Sequence, residues 1–147
     1  MNLGFKYIIA HGIHTEEQYS YRGVDGSCKA SSLPAPEYSA KSCVLVEANT
    51  DALTDALRVN PVSVAFYVNI SFQFYSGGVF DPWMCNGQPN HGVLAVGFDL
   101  TASKPWYKVK NSWGGSWGES GYFRIKIGSG AGTCDMAGSG ASVSPTI

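Results

Sequence analysis

The chain has 147 residues, and its composition bounds what it can be. Hydrophobic residues make up 44% and charged residues only 14%, which excludes an intrinsically disordered protein. A net charge of −1 leaves no basic field for a phosphate backbone, so no nucleic-acid partner is expected. No apolar run is long enough to span a bilayer, so no membrane partner is expected either.

The first quarter of the chain predicts one helix end followed by loops. Phe5 and Ile8 have helical spacing, and Gly12 is a typical helix stop. Residues 16–41 are rich in turn-forming Gly, Pro, Ser and Asp, which predicts irregular structure. A second helix is predicted between a capping Asn49 and the breaker Pro61.

Beyond Pro61 the apolar pattern changes to a period of two, which is typical of strands. The predicted strands cover residues 62–68, 93–98, 106–110 and 122–127, and a short helical turn is predicted at 72–75. Glycine turns between them favour a small antiparallel sheet or barrel. The Gly, Ser and Ala-rich residues 128–144 are predicted to form a surface loop. The chain is thus predicted to have a helical and looped front part followed by a β-rich body.

The four cysteines, at positions 28, 43, 85 and 134, do not have the spacing of a paired zinc site. In a chain this short they suggest disulfides and an oxidising compartment, with buried free thiols as the alternative. His11, His14 and Glu16 are the strongest metal-binding candidates, but they lack a clear further ligand. No metal and no cofactor are therefore expected.

Two segments carry residues suited to catalysis. His91 stands at the start of a predicted strand, where a rigid backbone would hold a general base near the surface, although a lone histidine is more often structural. Asn111 ends another predicted strand and could accept a hydrogen bond from an imidazole. Trp113 and Trp117 could exclude water from that bond, pack an ordinary β-turn, or form a sugar-stacking platform.

Both segments resemble the papain family of cysteine peptidases, and within it the cathepsin L-like members. The resemblance is carried by residues 90–97 (Asn-His-Gly-Val-Leu-Ala-Val-Gly) and 107–114 (Tyr-Lys-Val-Lys-Asn-Ser-Trp-Gly), with Trp-Gly at 117–118. Residues 16–21, 61–65 and 121–124 match further family segments, so the resemblance covers nearly the whole chain.

The resemblance implies a papain-like α+β fold and a Cys-His-Asn mechanism. His91 would be the acid and base, Asn111 would orient its ring, and Trp113 and Trp117 would pack over the pair. Residues 1–44 would be the remainder of the helical domain, and residues 45–147 the antiparallel, barrel-like β-domain that carries the histidine and asparagine. The family's cleft would lie between these halves.

The resemblance also implies roles for other positions. Cys85 and Cys134 would form a disulfide, whereas Cys28 would lack its usual partner. The positions implied to bind substrate are Met1, Ala65, Pro89, Asn90 and Ser139.

The family's nucleophilic cysteine segment and oxyanion glutamine do not occur in these 147 residues. The cysteine is expected roughly 40 or more residues upstream of Met1, given its usual separation from the histidine. The chain is therefore interpreted as a portion of a peptidase acting on polypeptides, inactive alone, with the missing amino-terminal segment as partner and a lysosomal, vacuolar or secreted location. The alternative is a non-catalytic papain-fold peptide-binding protein.

Overall fold

A computed structural model describes residues 1–85, 87–138 and 143–146, the last of these as backbone only. The chain divides into a smaller compact unit, Asn2–Cys43 with the residues from Pro145 onward, and a larger one, Met1 with Val44–Ser144. The larger unit contains most of the regular structure. No helix among the described residues is both long and apolar enough to cross a lipid bilayer.

The smaller unit contains the first helix, α1 (Asn2–His11), and a single-turn 3-10 helix, Ala30–Ser32. Gly12 ends α1 with a φ of +73°, and its N–H donates to the carbonyl of Ile8 at 2.8 Å. A side chain at this position would place its Cβ 2.6 Å from the ring of Pro36. The predicted loop is otherwise irregular, with one isolated antiparallel bridge between Ile13 and Tyr38.

The second helix, α2 (Thr50–Leu57), begins where the capping signal predicts. The Asn49 side chain accepts a hydrogen bond from the backbone N–H of Ala52 at 2.8 Å, which satisfies one of the free donors at the helix start. Leu53 lies on the inner face of α2 and is fully buried.

The sheet has seven strands in the order β1-β7-β2-β4-β5-β6-β3, and β2 to β6 form the body of the larger unit. Its strands are β1 (Ser42–Leu45), β2 (Val62–Phe66), β3 (Val79–Phe80), β4 (His91–Asp99), β5 (Trp106–Lys110), β6 (Tyr122–Lys126) and β7 (Val143–Thr146). The four predicted strands correspond to β2, β4, β5 and β6, which confirms the α+β class.

The sheet is mixed, whereas the sequence predicts an antiparallel sheet. β2 pairs with β4, β4 with β5, and β5 with β6 in antiparallel fashion, but β3 pairs with β6 in parallel. β3 is only two residues long, too short for its alternation to be recognised. The Gly77-Gly78 turn that precedes it, with φ of +157° and +83°, allows the chain to reach this edge.

The core follows the alternation of the central strands. Every second residue of β2, β5 and β6 is buried, and the opposite face is partly exposed. The fully or almost fully buried aromatic residues are Phe66, Phe72, Tyr107 and Phe123. This pattern places one face of the sheet against α2 and the aromatic side chains.

The glycine-rich segment after β6 does not behave as the predicted surface loop throughout. Cys134, Met136 and Ala137 are buried, with exposed fractions of 4%, 1% and 0%. Cys134 forms a disulfide with Cys85, and its carbonyl accepts a hydrogen bond from the N–H of Tyr67. The disulfide and this bond draw the segment into the core, which composition alone could not reveal.

The disulfide between Cys85 and Cys134 confirms the predicted pairing and closes a loop with a sequence separation of 49. Cys28 and Cys43 are free thiols, and Cys28 is exposed. A cross-link of this span restricts the unfolded chain far more than the folded one. It joins the loop after β3 to the segment after β6 and so adds a covalent link beside the paired strands β3 and β6.

Replacing both Cys85 and Cys134 with alanine is expected to lower the free energy of unfolding by roughly 4 kcal/mol, given the length of the closed loop. Urea unfolding followed by circular dichroism measures this. Cys28→Ser is the control, and an exposed free thiol should change stability by less than about 0.5 kcal/mol. Equal effects of the two changes would contradict the assigned role of the cross-link.

A buried hydroxyl network attaches α2 to the sheet. The Tyr107 hydroxyl donates to the carbonyl of Thr50 at 2.8 Å and lies 2.9 Å from the hydroxyl oxygen of Thr54. Tyr107 is only 1% exposed, and its burial raises the pKa of the phenol. Because all three groups lie in the interior, each depends on the others to satisfy its hydrogen bonds.

Tyr107→Phe is expected to lower the free energy of unfolding by about 1–2 kcal/mol, because the change removes a buried donor and leaves the packing intact. Urea unfolding again supplies the measurement. Tyr21→Phe is the matched control, since Tyr21 is 85% exposed. An unchanged stability in Tyr107→Phe would show that the network does not hold α2 to the sheet.

Candidate active site

His91 and Asn111 meet because β4 and β5 are antiparallel neighbours. His91 is the first residue of β4, and Asn111 directly follows Lys110, the last residue of β5. In an antiparallel pair, the start of one strand lies beside the end of the next. The Nε2 atom of His91 lies 2.8 Å from Oδ1 of Asn111, so the two side chains predicted to be adjacent form a hydrogen bond.

A second donor fixes the orientation of the Asn111 amide. The backbone N–H of Ser112 donates to the same Oδ1 at 2.8 Å. A flipped amide would direct N–H groups at this backbone N–H, which is unfavourable. Oδ1 therefore faces His91, and Nε2 of His91 is the donor. The neutral ring then carries its hydrogen on Nε2 and leaves Nδ1 as the nitrogen that can accept or release a proton.

The Asn111 side chain is buried, with 8% of its surface exposed. Among the described residues, its Nδ2 has no hydrogen-bond partner, although both of its hydrogens lie in the interior. Burying such a donor costs about 1–3 kcal/mol of stability. Asn111 is therefore poorly explained as a residue that serves folding alone.

Trp113 packs on the His91 ring, and Trp117 packs on Trp113. The Trp113 ring centroid lies 5.1 Å from that of His91 and 5.0 Å from that of Trp117. Both tryptophans contact the fully buried Phe72, at 5.6 and 5.1 Å between ring centroids. His91 also contacts Phe66, its cross-strand partner in β2. The imidazole thus lies among apolar rings, where its hydrogen bond to Asn111 is shielded from water.

The turn that presents Trp117 is held by a polar network that no sequence motif indicated. Glu119 accepts hydrogen bonds from Arg124 at 2.7–3.1 Å and from the N–H of Gly78 at 3.0 Å. The hydroxyl of Tyr75 donates to the Gly78 carbonyl at 2.7 Å and accepts from the N–H of Arg124 at 3.1 Å. We refer to Tyr75, Gly78, Glu119 and Arg124 as the Glu119 network.

The electrostatics of this network are those of a partly buried ion pair. The Arg124 guanidinium lowers the pKa of the Glu119 carboxyl, against the opposing effect of burial, and the Glu119 carboxylate raises the pKa of Arg124. Burial raises the pKa of the Tyr75 hydroxyl. Both charged groups are therefore favoured in their ionised forms.

Gly118 allows the network to pack closely against Trp117. Its φ is +56°, and a Cβ there would lie 2.6 Å from the carbonyl oxygen of Tyr122 and 3.1 Å from the Tyr75 ring. The Trp117 indole N–H donates to the carbonyl of Gln73 at 3.1 Å. The ring is consequently fixed from both the turn and the 3-10 helix Ile70–Phe74.

An open depression of about 290 Å³ adjoins His91. The residues that line it are Val68, Asn69, Ile70, Gln73, Asn90, His91 and Trp113. All of them belong to the larger unit, and His91 and Trp113 supply the groups with chemical function.

The residues predicted to bind substrate occupy different environments. Asn90 borders the depression, but its amide bonds both the N–H and the carbonyl of Val68, at 2.8 and 3.0 Å. Ala65 and Pro89 are half-buried, and Met1 is 44% exposed. Ser139 lies outside the described residues.

The remaining candidates have other partners. Cys85 is held in the disulfide and is therefore not available as a thiolate. His11 packs on the Tyr7 ring, and Nε2 of His14 lies 2.9 Å from the carbonyl oxygen of Pro34. In the part of the chain that the structure describes, no group of three His, Cys, Asp or Glu side chains is placed to hold a metal ion.

Known proteins are similar to this chain over most of its length. Residues 1–144 match the family described as "Papain family cysteine protease". The chain is 42% identical over 138 residues to a thiol protease aleurain-like protein of Arabidopsis thaliana, covering 88% of this chain and 38% of that protein. It is 41% identical over 142 residues to a KDEL-tailed cysteine endopeptidase of the same plant, covering 93% of this chain and 39% of that protein.

The fold has the same relatives. Bromelain protease from Ananas comosus, solved with the inhibitor E64, superposes with a TM-score of 0.88 and 32% identity, covering 99% of this chain and 68% of that structure. Compared with the two Arabidopsis thaliana proteases, the chain spans under two-fifths of their length. From its motifs, its fold and these matches, the chain belongs to the papain family of cysteine proteases.

Proposed function

We propose that the chain is the later part of a papain-like cysteine endopeptidase that hydrolyses peptide bonds through a Cys-His-Asn mechanism. In this proposal residues 1–44 are the remainder of the helical domain and residues 45–147 the domain that carries His91 and Asn111. The nucleophilic cysteine and the oxyanion glutamine come from an upstream segment of the same enzyme, and these 147 residues alone are inactive.

The observation that carries the proposal is the pair of hydrogen bonds to Oδ1 of Asn111. One comes from His91 Nε2 and one from the backbone of Ser112, both at 2.8 Å. This set leaves Nδ1 of His91 as the proton-transferring nitrogen. A structural histidine would have no need for its ring to be oriented this way beside an open depression.

In the proposed reaction His91 exchanges a proton with the cysteine through Nδ1. The resulting thiolate attacks the substrate carbonyl, and the imidazolium then protonates the leaving amine. The imidazole next accepts a proton from the water that hydrolyses the thioester. Asn111 takes no proton in either step. It keeps Nε2 bonded and the ring aimed, while Trp113 excludes water from that bond.

Polypeptides are the proposed substrates, with Met1, Ala65, Pro89, Asn90 and Ser139 as the proposed substrate-binding positions. A lysosomal, vacuolar or secreted location is proposed as well. The Cys85–Cys134 disulfide supports this location, since such bonds persist in oxidising compartments.

Joining an amino-terminal segment from a relative, with its Gln and Cys, to this chain is expected to produce peptidase activity that thiol alkylation blocks. The 147-residue chain alone should hydrolyse a fluorogenic peptide only at the background rate, because it lacks the nucleophile and oxyanion donors. In the joined enzyme, His91→Ala should reduce kcat to background. Asn111→Ala should reduce kcat about 10²-fold, since it misorients the ring without removing it.

His14→Ala is the matched control, because it removes a histidine that lies elsewhere in the chain and bonds a backbone carbonyl. Its kcat should equal that of the joined enzyme. Thiol-dependent cleavage by the 147-residue chain alone would contradict the proposal. Full activity in the joined His91→Ala enzyme would also contradict it.

We further infer that the Glu119 network positions Trp117, and through it the rings around His91. Only Gly118 separates Trp117 from Glu119 in the sequence, and the ring centroids of Tyr75 and Trp117 lie 5.5 Å apart. Loosening the ion pair would release one side of the aromatic cluster. The contribution of the Glu119–Arg124 ion pair to stability depends on pH, because only the ionised carboxyl attracts Arg124.

Glu119→Gln is expected to lower the free energy of unfolding by about 1–2 kcal/mol at pH 7. The loss is smaller than for a fully buried hydrogen bond to a charged group, because the Glu119 and Arg124 side chains are partly exposed to water. The pKa of Glu119 is lower in the folded chain than its ordinary value. Its stabilising contribution is therefore complete above the ordinary carboxyl pKa of about 4.3 and disappears as pH falls through the lower folded value. Urea unfolding at pH 7, 5 and 3 measures the difference between variant and parent, which should shrink with acidification.

Glu47→Gln is the control for this series, since Glu47 is an exposed carboxylate in the same unit. It should change stability by less than about 0.5 kcal/mol at pH 7. A Glu119→Gln difference that stays constant from pH 7 to pH 3 would show that the effect comes from packing and not from the ion pair.

A further inference from the structure

The sequence contains one tripeptide of the form Asn-x-Ser/Thr with x other than proline, namely Asn69-Ile70-Ser71. The other six asparagines lack a hydroxyl residue two positions later. This tripeptide is the acceptor signal for N-linked glycosylation, which places the modified asparagine at the surface of a secreted protein. This tripeptide is not among the sequence motifs that carry the resemblance to the papain family.

The structure places the tripeptide where an attached glycan can be accommodated. Asn69 is half-buried, Ile70 is 73% exposed, and Ser71 is exposed. The three residues open the 3-10 helix Ile70–Phe74, at the edge of the larger unit. The hydroxyl of Ser71 donates to Oδ1 of Asn69 at 2.6 Å, which fixes Oδ1 toward the serine.

The Asn69 nitrogen is the atom that would be modified, and its present bond is weak. Nδ2 donates to the carbonyl of Met84 at 3.5 Å, the outer limit of a hydrogen bond, and Met84 is 55% exposed. Glycosylation removes only one of the two hydrogens on Nδ2. The other hydrogen can keep the contact with Met84, so the modification requires no break in the fold.

We propose that Asn69 is an N-glycosylation site and that its glycan stands at the rim of the depression beside His91. The sugar donor is a lipid-pyrophosphate-linked oligosaccharide. The bond from its C1 to the pyrophosphate oxygen breaks, a bond from C1 to Nδ2 forms, the lipid pyrophosphate leaves, and the amide loses one proton. The Cys85–Cys134 disulfide favours folding in an oxidising compartment, where this donor is used.

The position of the glycan has a consequence for access to the site. Asn69, Ile70 and His91 all line the same depression, and Trp113 forms part of its wall. A bulky, hydrated group on Asn69 restricts the approach of large folded substrates to His91 and leaves room for short peptides. This part of the proposal rests on the proposed peptidase function.

Whether Asn69 carries a glycan is tested by secreting the 147-residue chain, with a signal peptide, from a host that performs N-glycosylation. The parent chain and Ser71→Thr are expected to carry a glycan that peptide N-glycosidase removes, converting Asn69 to Asp in the mapped peptide. Ser71→Ala should carry none, whereas Ser76→Ala, which changes an exposed serine outside the tripeptide, should be glycosylated like the parent. Formation of the Cys85–Cys134 disulfide reports passage through the compartment.

The proposal would be overturned if the secreted parent chain formed the disulfide but Asn69 stayed unmodified. A glycan that persists in Ser71→Ala would overturn it as well. Neither result bears on the peptidase assignment, because occupancy is read by mass and not by activity.

The effect on access is tested in the enzyme completed with its amino-terminal segment. Loss of the glycan in Ser71→Ala should raise kcat/KM for a folded protein substrate several-fold and leave kcat/KM for a short peptide unchanged. Ser71→Thr should behave like the parent. Equal kcat/KM values for the folded substrate with and without the glycan would overturn the access effect. Absence of thiol-dependent activity from all completed variants would instead refute the proposed function.

Discussion

The hydrogen bond from His91 to Asn111 is the constraint on which the rest of the site depends. It requires the first residue of β4 to face the residue just beyond β5, and the antiparallel register of these strands meets that requirement. The Ser112 backbone then fixes which end of the amide faces the ring. Because one oxygen receives both donors, strand register, amide orientation and imidazole tautomer are determined together.

Around this bond the molecule is arranged in two further layers. Trp113 contacts the imidazole, and Trp113, Trp117 and Phe72 pack against one another in an apolar layer. The Glu119 network forms an outer, charged layer in the turn that follows Trp117. The proposed role of this outer layer is to limit, through Trp117, how far the inner rings can move. The precision of the site is thus distributed over strands, turn and 3-10 helix.

Sequence patterns predicted the parts of this arrangement that depend on local spacing. β5 was predicted with its observed bounds because Trp106–Lys110 alternates cleanly, and Asn49 was recognised as a helix cap from its residue type. The Glu119 network could not be predicted, since Tyr75 and Arg124 lie 49 positions apart and only the parallel β3–β6 pairing brings them together. The burial of Cys134, Met136 and Ala137 was not predicted, because the glycine-rich composition of the segment is typical of a surface loop. The roles of His91 and Asn111 in catalysis came from resemblance to a family, and they stay proposals.

The two ends of the buried Asn111 amide have opposite effects on stability. Its oxygen is fully used, whereas its amino group is enclosed without an acceptor among the described residues. An apolar side chain of similar shape would avoid the desolvation cost of Nδ2. It would also leave the backbone N–H of Ser112 and the Nε2–H of His91 without their shared acceptor. The net effect of Asn111 on the stability of the domain is therefore the difference between two opposing costs at the two ends of one amide.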